Sequence, residues 1–177
     1  MNLRRVWIAA VVLLSGAVGL GAYTQATAAD AKKLSTEERL RHLEDVESIR
    51  SLLVAYGRTF DRRDFAAYAG LFAQDGVWIG GAENTQTYTG PEAIRTFVEK
   101  IYPPTVFPGG YHIMSNFDIE IDGVDTAKAW SRWTFVVRGV HNEPVIFHGG
   151  YYEDAFVREK GIWKFKSRRV LSDPPNK

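Results

Sequence analysis

Asp61, His112 and Tyr56 are the residues of this chain whose types and surroundings best suit a chemical task. Ile49, Leu52, Leu53, Tyr56 and Phe60 recur at helical spacing, so one helix face is buried. Asp61 follows where that stripe ends, which sets a carboxylate beside an apolar surface and suits it to acid–base work. His112 is the best candidate to stand opposite. A neutral imidazole can take a carbon-bound proton because its ordinary pKa, about 6.5, lies close to ambient pH. An aspartate that accepts one ring N–H fixes the tautomer and stabilises the imidazolium that forms. A phenol such as Tyr56 then donates to a departing hydroxyl or a developing enolate.

Each residue also has a plainer reading. Asp61 lies in the charged run Asp61-Arg62-Arg63-Asp64 and suits a helix end equally well. His112 stands beside Pro108-Gly109-Gly110 and suits a half-exposed place at the start of a strand. His148, next to Gly149-Gly150, is a second candidate base or an ordinary strand residue at a dimer face. His42 belongs to a charged stretch and His141 to a loop. No pair of histidines has a metal-ligand spacing, so no metal is expected. With no phosphate loop, dinucleotide fingerprint or nucleophilic serine motif, the chemistry expected is cofactor-free proton transfer.

The elements that must position these groups follow from local patterns. Ser35-Thr36-Glu37-Glu38 has capping-box form and starts a helix that runs to about Phe60. Tyr56 and Asp61 lie about 140° apart around such a helix. They share a pocket, on this reading, only if the helix ends by Phe60 and Asp61 turns back. Asp64 caps a short helix ending near Leu71. Short strands Gly76–Gly80 and Thr87–Thr89 flank the polar turn Glu83-Asn84-Thr85, and Pro91 opens a third helix, Glu92 to Ile101. Past a Pro/Gly loop come four long strands, Ile113–Ile121, Thr126–Arg138, Val145–Arg158 and Ile162–Leu171, with turns at Asp122-Gly123 and Lys160-Gly161. Helices first and antiparallel strands afterwards predict an α+β fold, about three helices laid on one face of a curved sheet.

Strand alternation conflicts with the proposed dyad. Phe117, Ile119 and Ile121 face the core, which turns His112 outward unless a bulge lies between His112 and Phe117. On the last strand, Trp163 and Phe165 face inward, which places Arg169 inside and Arg168 outside.

The first 29 residues read as a secretory signal peptide. Arg4 and Arg5 precede the apolar run Val6 to Leu20, and Ala26-Thr27-Ala28 offers a small-residue cleavage site. The run is shorter than the ~20 residues of a membrane span, so cleavage and a periplasmic or secreted destination are expected, with no membrane contact afterwards. Residues 30–177 fit one domain. The chain carries 22 Lys and Arg against 21 Asp and Glu, so loss of Arg4 and Arg5 leaves a net charge of −1 and no basic surplus for nucleic acid. The absence of Cys excludes disulfides and thiolate chemistry.

The segments AYGRTFD, LFAQDGVW, GPEAIRTFV, YHIMSNFDIEIDG and GGYYEDAFVREKGIWKFKSRR, in that order across Leu40–Leu171, resemble the SnoaL-like group of the nuclear transport factor 2-like superfamily. The resemblance implies a cone in which a bent sheet wraps a pocket closed by helices, and homodimerisation through the outer sheet. Within the group the pattern is similar to the branch of bile acid dehydratase, hexachlorocyclohexane dehydrochlorinase and scytalone dehydratase, whose members use an aspartate-oriented histidine as base. It implies catalytic roles for His112 and Asp61, a hydrogen-bonding role for Tyr56, and pocket positions for Trp78, Tyr152 and Arg168. The dehydrochlorinase has lysine where this chain has Tyr56, which argues against that reaction. The bile acid enzyme has a pocket acid on the strand matching Thr126–Arg138, and from Lys128 to Arg138 this chain has none.

Aromatic residues make up 13% of the chain, enough to line a pocket for a flat polycyclic, steroid-like or aromatic ligand as well as to fill a core. The leading expectation is a lyase or isomerase of dehydratase type acting on such a molecule. A non-catalytic binding or dimerisation module of the same fold is the alternative, and an accessory subunit is a third.

Overall fold

In the computed structural model, which describes residues 34–81, 85–102 and 109–173, Ser35 starts the first helix as its sequence requires. The Ser35 hydroxyl accepts from the Glu38 N–H at 3.1 Å and the Glu38 carboxylate accepts from the Ser35 N–H at 2.7 Å. This helix, α1, spans Thr36–Asp61; α2 spans Phe65–Ala69 and α3 spans Pro91–Ile101. The expected signal peptide and the Pro103–Pro108 part of the loop before the long strands lie outside the described residues.

Six strands form one curved, unclosed sheet: β1 (Phe72–Gly80), β2 (Gln86–Thr89), β3 (Gly110–Ile121), β4 (Thr126–Arg138), β5 (Pro144–Glu159) and β6 (Ile162–Ser172), in the spatial order β2-β1-β6-β5-β4-β3. The helices-then-strands pattern thus yields the α+β architecture expected of it. One pair departs from antiparallel order: β1 and β6 run parallel. The long connection between them supplies the crossover that a parallel pair needs. β1 also begins at Phe72, earlier than its alternation suggests, because its register against β6 shifts between Phe72 and Val77.

The concave face carries the core. Ile49 and Leu53 from α1, Ile94 and Val98 from α3, and Phe72, Phe156 and Phe165 from the sheet are buried together. Asp45 ties the N-terminal half of α1 to the β5–β6 hairpin. Its carboxylate accepts from Arg158 at 2.7 Å and from the Trp163 indole at 3.1 Å. Burial pushes the Asp45 carboxyl up, and those two hydrogen bonds more than reverse it, holding it below the usual carboxylate range.

Candidate active site

β3 carries a bulge. Ser115 pairs with Arg132 and Asp118 with Trp130, so one extra residue sits on β3, where Asn116 takes a positive φ of 53°. Alternation is therefore reset. Phe117, Ile119 and Ile121 pack on the core beyond the bulge, and His112 and Met114 turn inward before it. Asp61 is the last residue of α1, and β3 lies alongside that helix at Gly57: a Cβ placed there would lie 3.1 Å from the His112 Cβ. Gly57 is thus a point of close approach between strand and helix end.

The two side chains meet. The His112 Nδ1 lies 2.6 Å from Asp61 Oδ1, and the His112 backbone N–H donates to Asp61 Oδ2 at 2.9 Å. With Nδ1–H directed to the carboxylate, Nε2 is left with its lone pair and has no hydrogen-bond partner among the described residues. Asp61 sits at the C-terminal end of α1, where the helix dipole disfavours a carboxylate and favours a cation. An imidazolium formed at His112 gains from both.

The helix runs through Asp61 and does not end by Phe60 and turn back, the condition for joint access of Tyr56 and Asp61 to one pocket. Tyr56 and Asp61 point different ways, and His112 spans the difference. Its ring lines a cavity of about 130 Å³ that Tyr56, Trp78, Trp133, Phe135 and Tyr152 also line, while Asp61 stands behind it in a separate groove. Phe60 and Phe135 pack on the imidazole at ring-centre distances of 5.2 and 4.8 Å. His148 is exposed at the same cavity, with Nε2 2.9 Å from the Ser172 hydroxyl oxygen.

Tyr56 is buried, and its hydroxyl accepts from the Trp78 indole at 3.0 Å, leaving the phenolic proton for another acceptor. Burial pushes the Tyr56 phenol up, against the opposing pull of the Arg168 guanidinium and of hydrogen bonds from Tyr68 and Trp78. Tyr56 is therefore a neutral donor around neutral pH.

Arg168 reverses the expectation from alternation and also differs from the pocket position implied by resemblance. Ala155 pairs with Ser167 but Phe156 with Phe165, so Lys166 is an extra residue on β6 and turns Arg168, not Arg169, inward. Arg168 does not line the cavity. It is fully buried behind it, bonded to Asp154 through Nε at 2.8 Å and Nη2 at 2.7 Å. Its guanidinium lies 3.9 Å from the ring centres of both Tyr56 and Tyr152. Burial alone pulls the guanidinium down, and the Asp154 carboxylate more than reverses it; burial likewise pushes the Asp154 carboxyl up. Asp154 was missed in the sequence, although Tyr152, Asp154 and Phe156 share one alternating face.

Gly57→Ala tests the closeness of helix and strand. A few tenths of an ångström of displacement at His112 are required. Helix propensity gains about 1 kcal/mol against that crowding, so the melting temperature should stay nearly constant. A shift of that size in a proton-abstracting base would cost about three- to tenfold in rate, because misplacement by 1 Å costs about a hundredfold. Melting curves and rates on the same preparation check both halves.

The profile of the SnoaL-like domain matches residues 41–169. No curated protein matches the chain. Among solved structures, a scytalone dehydratase candidate from Novosphingobium aromaticivorans is 25% identical, with a TM-score of 0.67 over 78% of this chain and 90% of that one. A hexachlorocyclohexane dehydrochlorinase from Novosphingobium barchaimii is 21% identical, with a TM-score of 0.66 over 78% and 92%. A Mycobacterium tuberculosis protein of unknown function is 22% identical, with a TM-score of 0.67 over 76% and 75%. With the profile covering most of the described fold, helices over a curved open sheet, this chain belongs to the SnoaL-like family of the nuclear transport factor 2-like superfamily.

Proposed function

We propose that the protein is a cofactor-free lyase or isomerase that removes a carbon-bound proton from a small apolar molecule. The observation that carries this reading is the 2.6 Å contact of His112 with Asp61, made while the imidazole ring lines an aromatic cavity. Nε2 of His112 takes the proton; the C–H electron pair moves onto an adjacent carbonyl as an enolate or expels a β-hydroxyl. Asp61 holds the tautomer and stabilises the imidazolium. Tyr56 donates to the oxygen on which charge builds. Structural neighbours described as a dehydratase candidate and a dehydrochlorinase support the lyase class.

Cavity size narrows the ligand. A cavity of about 130 Å³ is close to one of about 150 Å³ that accepts benzene, so one ring fits. A polycyclic or steroid-like molecule would leave most of its body outside, past Phe147 and His148. Export through the N-terminal leader is part of this reading. So is a homodimer through the outer sheet face, supported by the exposed Tyr111, Ile113 and Ile146.

Deuterium uptake from D2O at the carbon beside the carbonyl of aryl alkyl ketones, followed by NMR with loss of water from their β-hydroxy derivatives, tests the reading. Wild-type protein should raise one or both rates above buffer. Binding without either reaction would put the non-catalytic module in its place.

A further inference from the structure

His112, Phe135 and His148 form one line across β3, β4 and β5, His112 paired with Phe135 and Phe135 with His148. Trp133 lies two residues along β4 on the same side. Its ring centre is 5.4 Å from that of His148 and 6.3 Å from that of His112. All four side chains line the cavity.

Trp133 is buried, yet its Nε1–H has no hydrogen-bond partner among the described residues. The two other buried indoles among the described residues are satisfied, Trp78 by Tyr56 and Trp163 by Asp45. A buried donor without an acceptor is costly; among the described residues Arg95 Nε, Ser131 Oγ and Arg168 Nη1 share that condition, and Trp133 is the one of the four whose side chain lines the cavity.

His148 is held beside it by local construction. Phe147 is an extra residue on β5, between His148 paired with Phe135 and Ile146 paired with Val136. A Cβ on Gly150 would lie 1.9 Å from the Leu171 carbonyl oxygen, so only glycine lets the end of β6 close this tightly. That closure sets the Ser172 hydroxyl on His148 Nε2. A serine donating there leaves the ring proton on Nδ1, available to an acceptor.

We propose that Trp133 and His148 form a hydrogen-bonding site for one oxygen of the ligand, and that the ligand is a neutral single-ring carbonyl compound. Among the described residues no Lys or Arg lines the cavity, so a carboxylate would find no fixed cation from them there. The orientation follows: the carbonyl oxygen sits by Trp133 and His148, the neighbouring carbon faces His112, and Tyr56 is left to donate to a departing β-hydroxyl. This last step rests on the proton-abstraction reading; the acceptor site does not.

Acetophenone and ethylbenzene have nearly the same shape and differ in the carbonyl, so the ratio of their affinities reads the acceptor site. Calorimetric titration should show that ratio falling about three- to tenfold in Trp133→Phe and in His148→Ala, the worth of one hydrogen bond. Trp133→Phe keeps an aromatic ring in the wall, and His148 is exposed, so both variants should fold. The indole N–H resonance that Trp133→Phe removes should move further downfield with acetophenone than with ethylbenzene. An unchanged ratio in both variants, or no binding of either compound, overturns the proposal. His112→Ala should retain the ratio while losing deuterium exchange. A retained ratio without exchange in the wild type would sink proton abstraction and leave the acceptor site standing.

Discussion

His112→Ala is expected to reduce deuterium exchange or dehydration by about 10² to 10⁴, the usual worth of a positioned general base, with a smaller loss of stability from the packing of its ring on Phe60 and Phe135. The backbone N–H of residue 112 still donates to Asp61 Oδ2 when the ring is gone, so the end of α1 stays tied to β3. Asp61→Asn carries the argument further. An asparagine can keep the backbone hydrogen bond but presents no charge to an imidazolium and can favour the wrong tautomer, so activity should fall by a comparable factor. Stability should hold or rise by about 0.3–1 kcal/mol, because a neutral group replaces an anion at the unfavourable end of the helix dipole. Rates and urea denaturation on the same variants read both effects. A residue kept for structure would show the opposite, with loss of stability first. If both variants turn over normally, the dyad is an ordinary tertiary contact.

Asp154→Ala should be the most damaging single change to stability, about 3–5 kcal/mol, because it strands a fully buried guanidinium. Removing both charges should be far milder. Asp154→Leu combined with Arg168→Met fills the space with apolar atoms, and a buried ion pair so replaced often costs little or nothing. The double variant still loses the cation–π contacts of Arg168 with Tyr56 and Tyr152, so recovery should be large but incomplete. Denaturant midpoints of the two singles and the double close the cycle. A double variant as unstable as Asp154→Ala would mean that Arg168 matters through the tyrosines more than through its counter-ion.

Local chemistry carried much of the architecture in readable form. The Ser35–Glu38 box, Pro91 at the start of α3 and the turns at Asp122-Gly123 and Lys160-Gly161 depend on neighbours a few residues away. The α+β order and the pairing of candidates Asp61 and His112 could be read the same way, the second through family resemblance. Direction of side chains could not. His112 and Arg168 both face inward against simple alternation, and in each case one extra strand residue, at Asn116 or Lys166, resets the phase. Such a residue is defined by hydrogen bonds to a partner strand, not by its own type, so nothing local marks it. Asp154 was legible by alternation with Tyr152 and Phe156, but a carboxylate is placed inside only when its cation is known to be there. That cation sits 14 residues on and depends on the bulge. Capping, turns and amphipathic faces are short-range properties of this chain. Which charged groups the sheet turns inward was settled by strand register, because register brings Arg168 to the Asp154 that makes its burial tolerable.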